Sequence, residues 1–161
     1  MANLLPIVAL FLVLLPPLLA FFAALGAFFP GRVARTRQMI TTLPGRSALV
    51  GAINAVFLGA LGLVFFQLGS SRGVGVLTIF GGLLAAALLV GVSFGLTGVV
   101  EWLGERLAPS RSRLVQTACG GTLLSLGCAF PLVGWFGLLP FAIVLGLGAF
   151  IYTFFNREPP G

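Results

Sequence analysis

Glu101 and Glu105 stand one helical turn apart, with Trp102 and Arg106 beside them. Two carboxylates at that spacing share a helix face, an arrangement that general acid–base or metal chemistry can use. Either chemistry needs a third partner. The chain offers none, since it has no His, no Asp and no Lys, and its three acids are Glu101, Glu105 and Glu158. The pair is therefore read as a solvated helix end. Cys119 and Cys128, the only two cysteines, are nine residues apart. On one helix they turn to roughly opposite faces at about 100° per residue, so they do not pair and read as small buried hydrophobes. Without His or an axial-ligand pattern, neither haem nor zinc is expected. Gly69-Ser70-Ser71-Arg72-Gly73-Val74-Gly75 has the glycines of a phosphate loop but not its Lys, and reads as a turn.

Of the polar residues near apolar sequence, Asn54, Gln67 and Gln116, Asn54 is the one expected well inside. Its two readings are an interhelical hydrogen bond and the ligation of a pigment or substrate. The sequence thus gives no catalytic residue and no metal ligand. Asn54 is the single candidate for cofactor binding, and a bound lipid or pigment is admissible. The centres of the apolar tracts hold no ionisable residue, which counts against an ion-coupled transporter.

The elements that carry these residues follow from composition. The chain of 161 residues is 59% hydrophobic and 7% charged, with mean hydropathy +1.17, whereas about a quarter of a soluble domain is charged. An all-α polytopic transmembrane helix bundle is expected, a single transmembrane domain over residues 1–161. A bilayer core of ~30 Å takes about 20 apolar residues of helix. The apolar tracts run over residues 4–29, 48–68, 74–100 and 114–155. The last is too long for one span. Its middle, Phe130-Pro131-Leu132-Val133-Gly134-Trp135-Phe136-Gly137, supplies turn formers and an interfacial anchor in Trp135, so about five spans are counted.

The charge is all arginine and it is unevenly placed. Arg32, Arg35, Arg37 and Arg46 precede the second span, Arg106, Arg111 and Arg113 follow the third, and Arg157 follows the fifth, leaving only Arg72 on the other side. By the positive-inside rule this predicts an outside N-terminus and a cytoplasmic C-terminus in a bacterial cytoplasmic membrane. The first tract lacks a basic n-region and its arginines follow it, so it reads as a reverse-oriented anchor and not a signal peptide. Pro16-Pro17 should kink it. The +6 charge is topological information and not a nucleic-acid footprint.

Two units echo one another. Arg46-Ser47-Ala48-Leu49-Val50 recurs as Arg111-Ser112-Arg113-Leu114-Val115, and Leu58, Leu61, Gly62 and Phe65 fall in register with Leu123, Leu126, Gly127 and Phe130. Residues 48–100 and 114–155 are accordingly expected to be parallel repeats of one helical hairpin. Small residues recur every fourth position: Gly51, Ala55 and Gly59; Ala87, Gly91 and Gly95; Thr117, Gly121, Ser125 and Ala129. Such stripes let helix backbones approach, within the bundle or against a partner. Arg32, Arg35, Arg37 and Arg46 are placed to meet anionic lipid or an acidic partner surface. Trp102 and Trp135 are placed as interfacial residues, with Tyr152 beside Trp102.

Pro131-Leu132-Val133-Gly134-Trp135, followed by Gly146-Leu147-Gly148-Ala149 and preceded by Leu103-Gly104-Glu105-Arg106, resembles the hydrophobic helical region that follows the β-helical domain in some bacterial bactofilin-type proteins. The resemblance covers about the C-terminal half. It implies a bacterial inner-membrane module, and no cytoskeletal role, because the chain lacks the polymerising domain. The expected function is a non-catalytic accessory subunit that packs with other integral membrane subunits and lipids of a larger complex, photosynthetic or respiratory. The alternative is a small-solute or lipid transporter built from the two hairpins, with its site near Asn54.

Overall fold

In the computed structural model, residues 4–129 and 131–155 are described, with side chains from 13 to 129 and 132 to 155. Phe130, Arg157 and Glu158, used above, lie outside the described residues. The described residues form helices and no strand: α1 (Leu4–Phe28), α2 (Pro30–Thr42), α3 (Pro44–Arg72), α4 (Gly75–Leu107), α5 (Arg113–Ala129), α6 (Pro131–Val133), a π-helical turn (Gly134–Leu138) and α7 (Leu139–Phe155). α3, α4 and the Gly134–Phe155 segment are each long and apolar enough to cross a membrane. α1 and α2 qualify together as a fourth, sharply bent pair. α5, at 17 residues, spans about 26 Å, a little less than a bilayer core.

Proline makes the turns at the arginine-rich end. Phe29, Leu43 and Ala108 each precede a proline and share one non-helical conformation, with φ of −128°, −136° and −141° and ψ of 54°, 57° and 63°. The proline ring disfavours helical ψ at the residue before it, so each helix stops there. Pro30 and Pro44 then open the next helix, where a missing N–H costs nothing. The other end uses glycine. α3 closes on Gly73 at φ +67°, a left-handed position that a side chain would strain.

The first bend falls at Phe29–Pro30, where α1 and α2 meet at 104°. Helical structure runs on through Pro16 and Pro17. The arginine-bearing segment expected to be a connection is helix α2. Its order comes from Val33, Thr36 and Ile40, spaced three, four and seven apart and each no more than 1% exposed, which pack against α4 and α7. Thr36 also bonds the Arg32 carbonyl at 3.0 Å. The arginines occupy the other face.

Glycine sets the helix spacing. A Cβ on Gly51 of α3 would strike the Val144 carbonyl, one on Gly148 of α7 the Ser47 carbonyl, and one on Gly95 of α4 the Gly146 backbone. α4 and α5 meet in the same way, Gly104 against Gln116 and Gly120 against Val100. In lipid the helices gain nothing by hiding apolar surface from one another, so such backbone proximity and the dispersion it permits hold the bundle. Phe22, Ile40, Val99, Val100, Leu124, Leu145 and Ala149 fill the space around these contacts.

The two expected repeats pack differently. α3 and α4 lie side by side through Gly62, Gly69 and Gly81, with Gly69 against Thr78. α5 and α7 scarcely touch and are joined through the π turn, where Gly134 seats on Gly127 and Cys128. The expected loop around Trp135 is therefore helical, and Trp135 and Phe136 point outward from it.

Gly95→Ala should cost about 1–3 kcal/mol through overpacking. Gly59→Ala, where a Cβ meets nothing within 4 Å, should be neutral or up to about 1 kcal/mol stabilising by helix propensity. Thermal unfolding of both variants in detergent checks the contrast.

Candidate functional site

The polar groups gather at the arginine-rich end, where α1 turns into α2, α4 ends and α5 begins. Glu101 is 3% exposed. Its carboxylate accepts a hydrogen bond from the Arg113 guanidinium at 3.4 Å. This corrects the expected solvated helix end. α5 folds back after Pro109 and brings its first turn over the last turns of α4, while Gly26 of α1 covers the carboxylate from the other side. A Cβ on Gly26 would stand 2.9 Å from Glu101 Oε1, so the glycine leaves room for the acid.

Glu105, a turn further on, is partly exposed and pairs with Arg37 of α2 at 3.3 Å. The two glutamates thus tie α4 to different neighbours, α5 and α2. Arg106 lies over the Trp102 ring at 4.5 Å, a cation–π arrangement. Trp102 Nε1 is buried and finds no acceptor among the described residues, as is true of Ser47 Oγ and Ser125 Oγ. Trp135, by contrast, is 68% exposed. Tyr152 is partly buried near the end of α7.

Of the other arginines, Arg32 and Arg35 border one cavity with Thr153 and Phe154. Arg35 also borders a second with Gly31, Arg37, Gln38 and Glu105. Arg46 is exposed on the first turn of α3. Gln116 bonds the Ala108 carbonyl at 3.1 Å and so closes the turn between α4 and α5.

Comparison of the chain with protein-family models, curated proteins and solved structures gives no match.

Asn54 does not reach another helix. Its amide donates to the Val50 carbonyl of its own helix at 2.9 Å, and the residue is half-buried. This corrects the interhelical bond expected of it: the Asn54 amide satisfies itself on a carbonyl one turn back that already sits in the helix ladder and has a second lone pair to offer. Cys119 and Cys128 are unpaired thiols. Among the described residues no three His, Cys, Asp or Glu side chains converge on one point.

The small-residue stripes divide. Gly51, Gly91, Gly95 and Gly121 lie at helix contacts, Gly91 against Leu147 and Phe150, and Gly121 against Leu19. Ser125 is buried and Ala55 half-buried, whereas Gly59 faces open space and Ala87 is exposed. Sequence reasoning missed the Arg113–Glu101 and Arg37–Glu105 pairs and the role of Gly26. The signal for the first was Pro109, which demands an antiparallel return only a few residues after the acids.

Replacing Arg113, itself half-exposed, by Gln leaves the buried Glu101 carboxylate without its partner and should cost about 1–3 kcal/mol. Replacing Glu105 by Gln removes a half-exposed pair and should cost under about 1 kcal/mol. Chemical unfolding of the two variants in the same detergent decides whether burial orders the pairs in this way.

Proposed function

We propose that the chain is a non-catalytic helical subunit of a larger membrane complex, and that the α3–α4 hairpin is the part that docks. The observation that carries this is the burial pattern along the hairpin. Between residues 52 and 90 the only buried residues are Gly62, Gly69 and Gly81, so no side chain there is buried by the rest of the chain. The two helices hold one another by a glycine seam and turn most of their large side chains outward. One outward patch, Ala52, Ile53, Val56, Phe57 and Ala60, is a shallow apolar groove on α3.

Lipid alone would be served by bulky side chains all round. The arm instead exposes Gly82, Ala85, Ala86 and Ala87, with Gly59 half-exposed, among its Leu, Val and Phe, the composition that lets another helix approach closely. The resemblance to a bacterial inner-membrane module fits this reading, as does a complex of the energy-transducing kind, photosynthetic or respiratory.

The test is purification of the tagged full chain in mild detergent, with native electrophoresis, mass spectrometry and an absorption spectrum of the intact band. A defined stoichiometric set of integral membrane subunits is expected. Gly59→Leu and Gly82→Leu add bulk where a Cβ meets nothing within 4 Å. They should keep the chain's own unfolding temperature while lowering partner recovery by roughly tenfold, the loss of about 1.4 kcal/mol of association. A lone monomer or homo-oligomer, or variants that retain their partners fully, would sink the proposal.

A further inference from the structure

Arg32 and Arg35 lie nearly a turn apart on the outward side of α2, and with Thr153 and Phe154 of α7 they line a half-open cavity of about 350 Å³. Arg37 and Arg113 are held in ion pairs, but among the described residues neither Arg32 nor Arg35 meets a carboxylate. The Arg32 guanidinium lies 5.8 Å from the centre of the Phe154 ring. Thr153 donates its hydroxyl to the Phe150 carbonyl at 2.7 Å, so the guanidiniums are the cavity's free donors. Two such forks match the geometry of a phosphate.

Phe154 gives the cavity one aromatic side. Phe154 continues through Phe150 and Phe94 to Phe29, with successive ring centroids 5.2, 5.2 and 5.3 Å apart. At either end the neighbouring Phe28 and Phe155 are 79% and 81% exposed. A soluble phosphate ester has no use for that apolar border, whereas a molecule with a phosphate and long hydrocarbon chains uses both halves. Two positive charges that meet no carboxylate among the described residues also repel the cation of a zwitterionic headgroup.

We propose that this cavity binds the phosphate of an anionic glycerophospholipid, whose acyl chains run along the exposed phenylalanines. The site belongs to the chain itself and does not depend on its joining a larger complex.

The full chain in non-ionic detergent is mixed with equal amounts of phosphatidylglycerol and phosphatidylcholine, and retained lipid is counted by native mass spectrometry. Two arginines at about 1 kcal/mol each should favour phosphatidylglycerol by roughly tenfold or more. The double variant Arg32→Gln, Arg35→Gln should lose that preference. Arg46→Gln, which removes an equally exposed arginine from the same end, should keep it. Equal loss in both variants, or none in the double variant, overturns the proposal. Displacement of the lipid by soluble glycerol 3-phosphate would assign the cavity to a soluble ester and overturn it as well. The unmodified chain gives an independent reading with a photoactivatable phosphatidylglycerol. Adducts are expected in peptides covering residues 28–35 and 150–155, and a main adduct anywhere else overturns the site whether or not the variants fold.

Discussion

Backbone touching backbone, at Gly51, Gly95, Gly146 and Gly148, is the contact on which the rest of the bundle depends. In water a helix this apolar would be driven inward by solvent. In lipid that drive vanishes between helices, and stability comes from how closely main chains can approach. Three helices meet at this one locus, α3, α4 and α7. Each contributes a glycine where a methyl group would collide with a carbonyl or an amide. Remove the contact and α2 loses its seat, because Val33, Thr36 and Ile40 are buried against the same α4 and α7.

The polar end is built on that seat. Three X–Pro breaks return the chain repeatedly to one level, and the arginines and glutamates that would otherwise scatter are brought into reach of each other. Glu101 is the costliest of them to bury. Arg113, Gly26 and the fold-back after Pro109 together make its position tenable. Glu105 and Arg37, still washed by solvent, clip α2 to α4 more weakly.

How much of this was legible in the sequence depends on the range of the interaction. Helical class followed from composition, since a backbone without water must satisfy itself by helix. The turn at Gly73 followed from local glycine chemistry. The helical state of α2 was hidden because its buried face is only Val33, Thr36 and Ile40, a short stripe masked by three arginines. The environment of Glu101 was hidden because it is made by Gly26 and Arg113, 75 residues before and 12 after, and no local pattern reports such convergence. Asn54 misled for the opposite reason: a polar residue within an apolar tract signals a partner, but the partner is its own helix. Spacing alone also could not tell Gly95, which touches another backbone, from Gly59, which touches nothing.

The lengths of α3 and α4 carry a mechanical consequence. At 29 and 33 residues they reach about 44 and 50 Å, well beyond a hydrocarbon core of ~30 Å. Their apolar tracts, residues 48–68 and 74–100, are about 32 and 40 Å long, so it is α4 that overhangs the core and must lean or thicken the bilayer around it. Because the seam of Gly62, Gly69 and Gly81 binds the two helices into one plank, they lean together. The angle of the plank then follows the thickness of the host membrane.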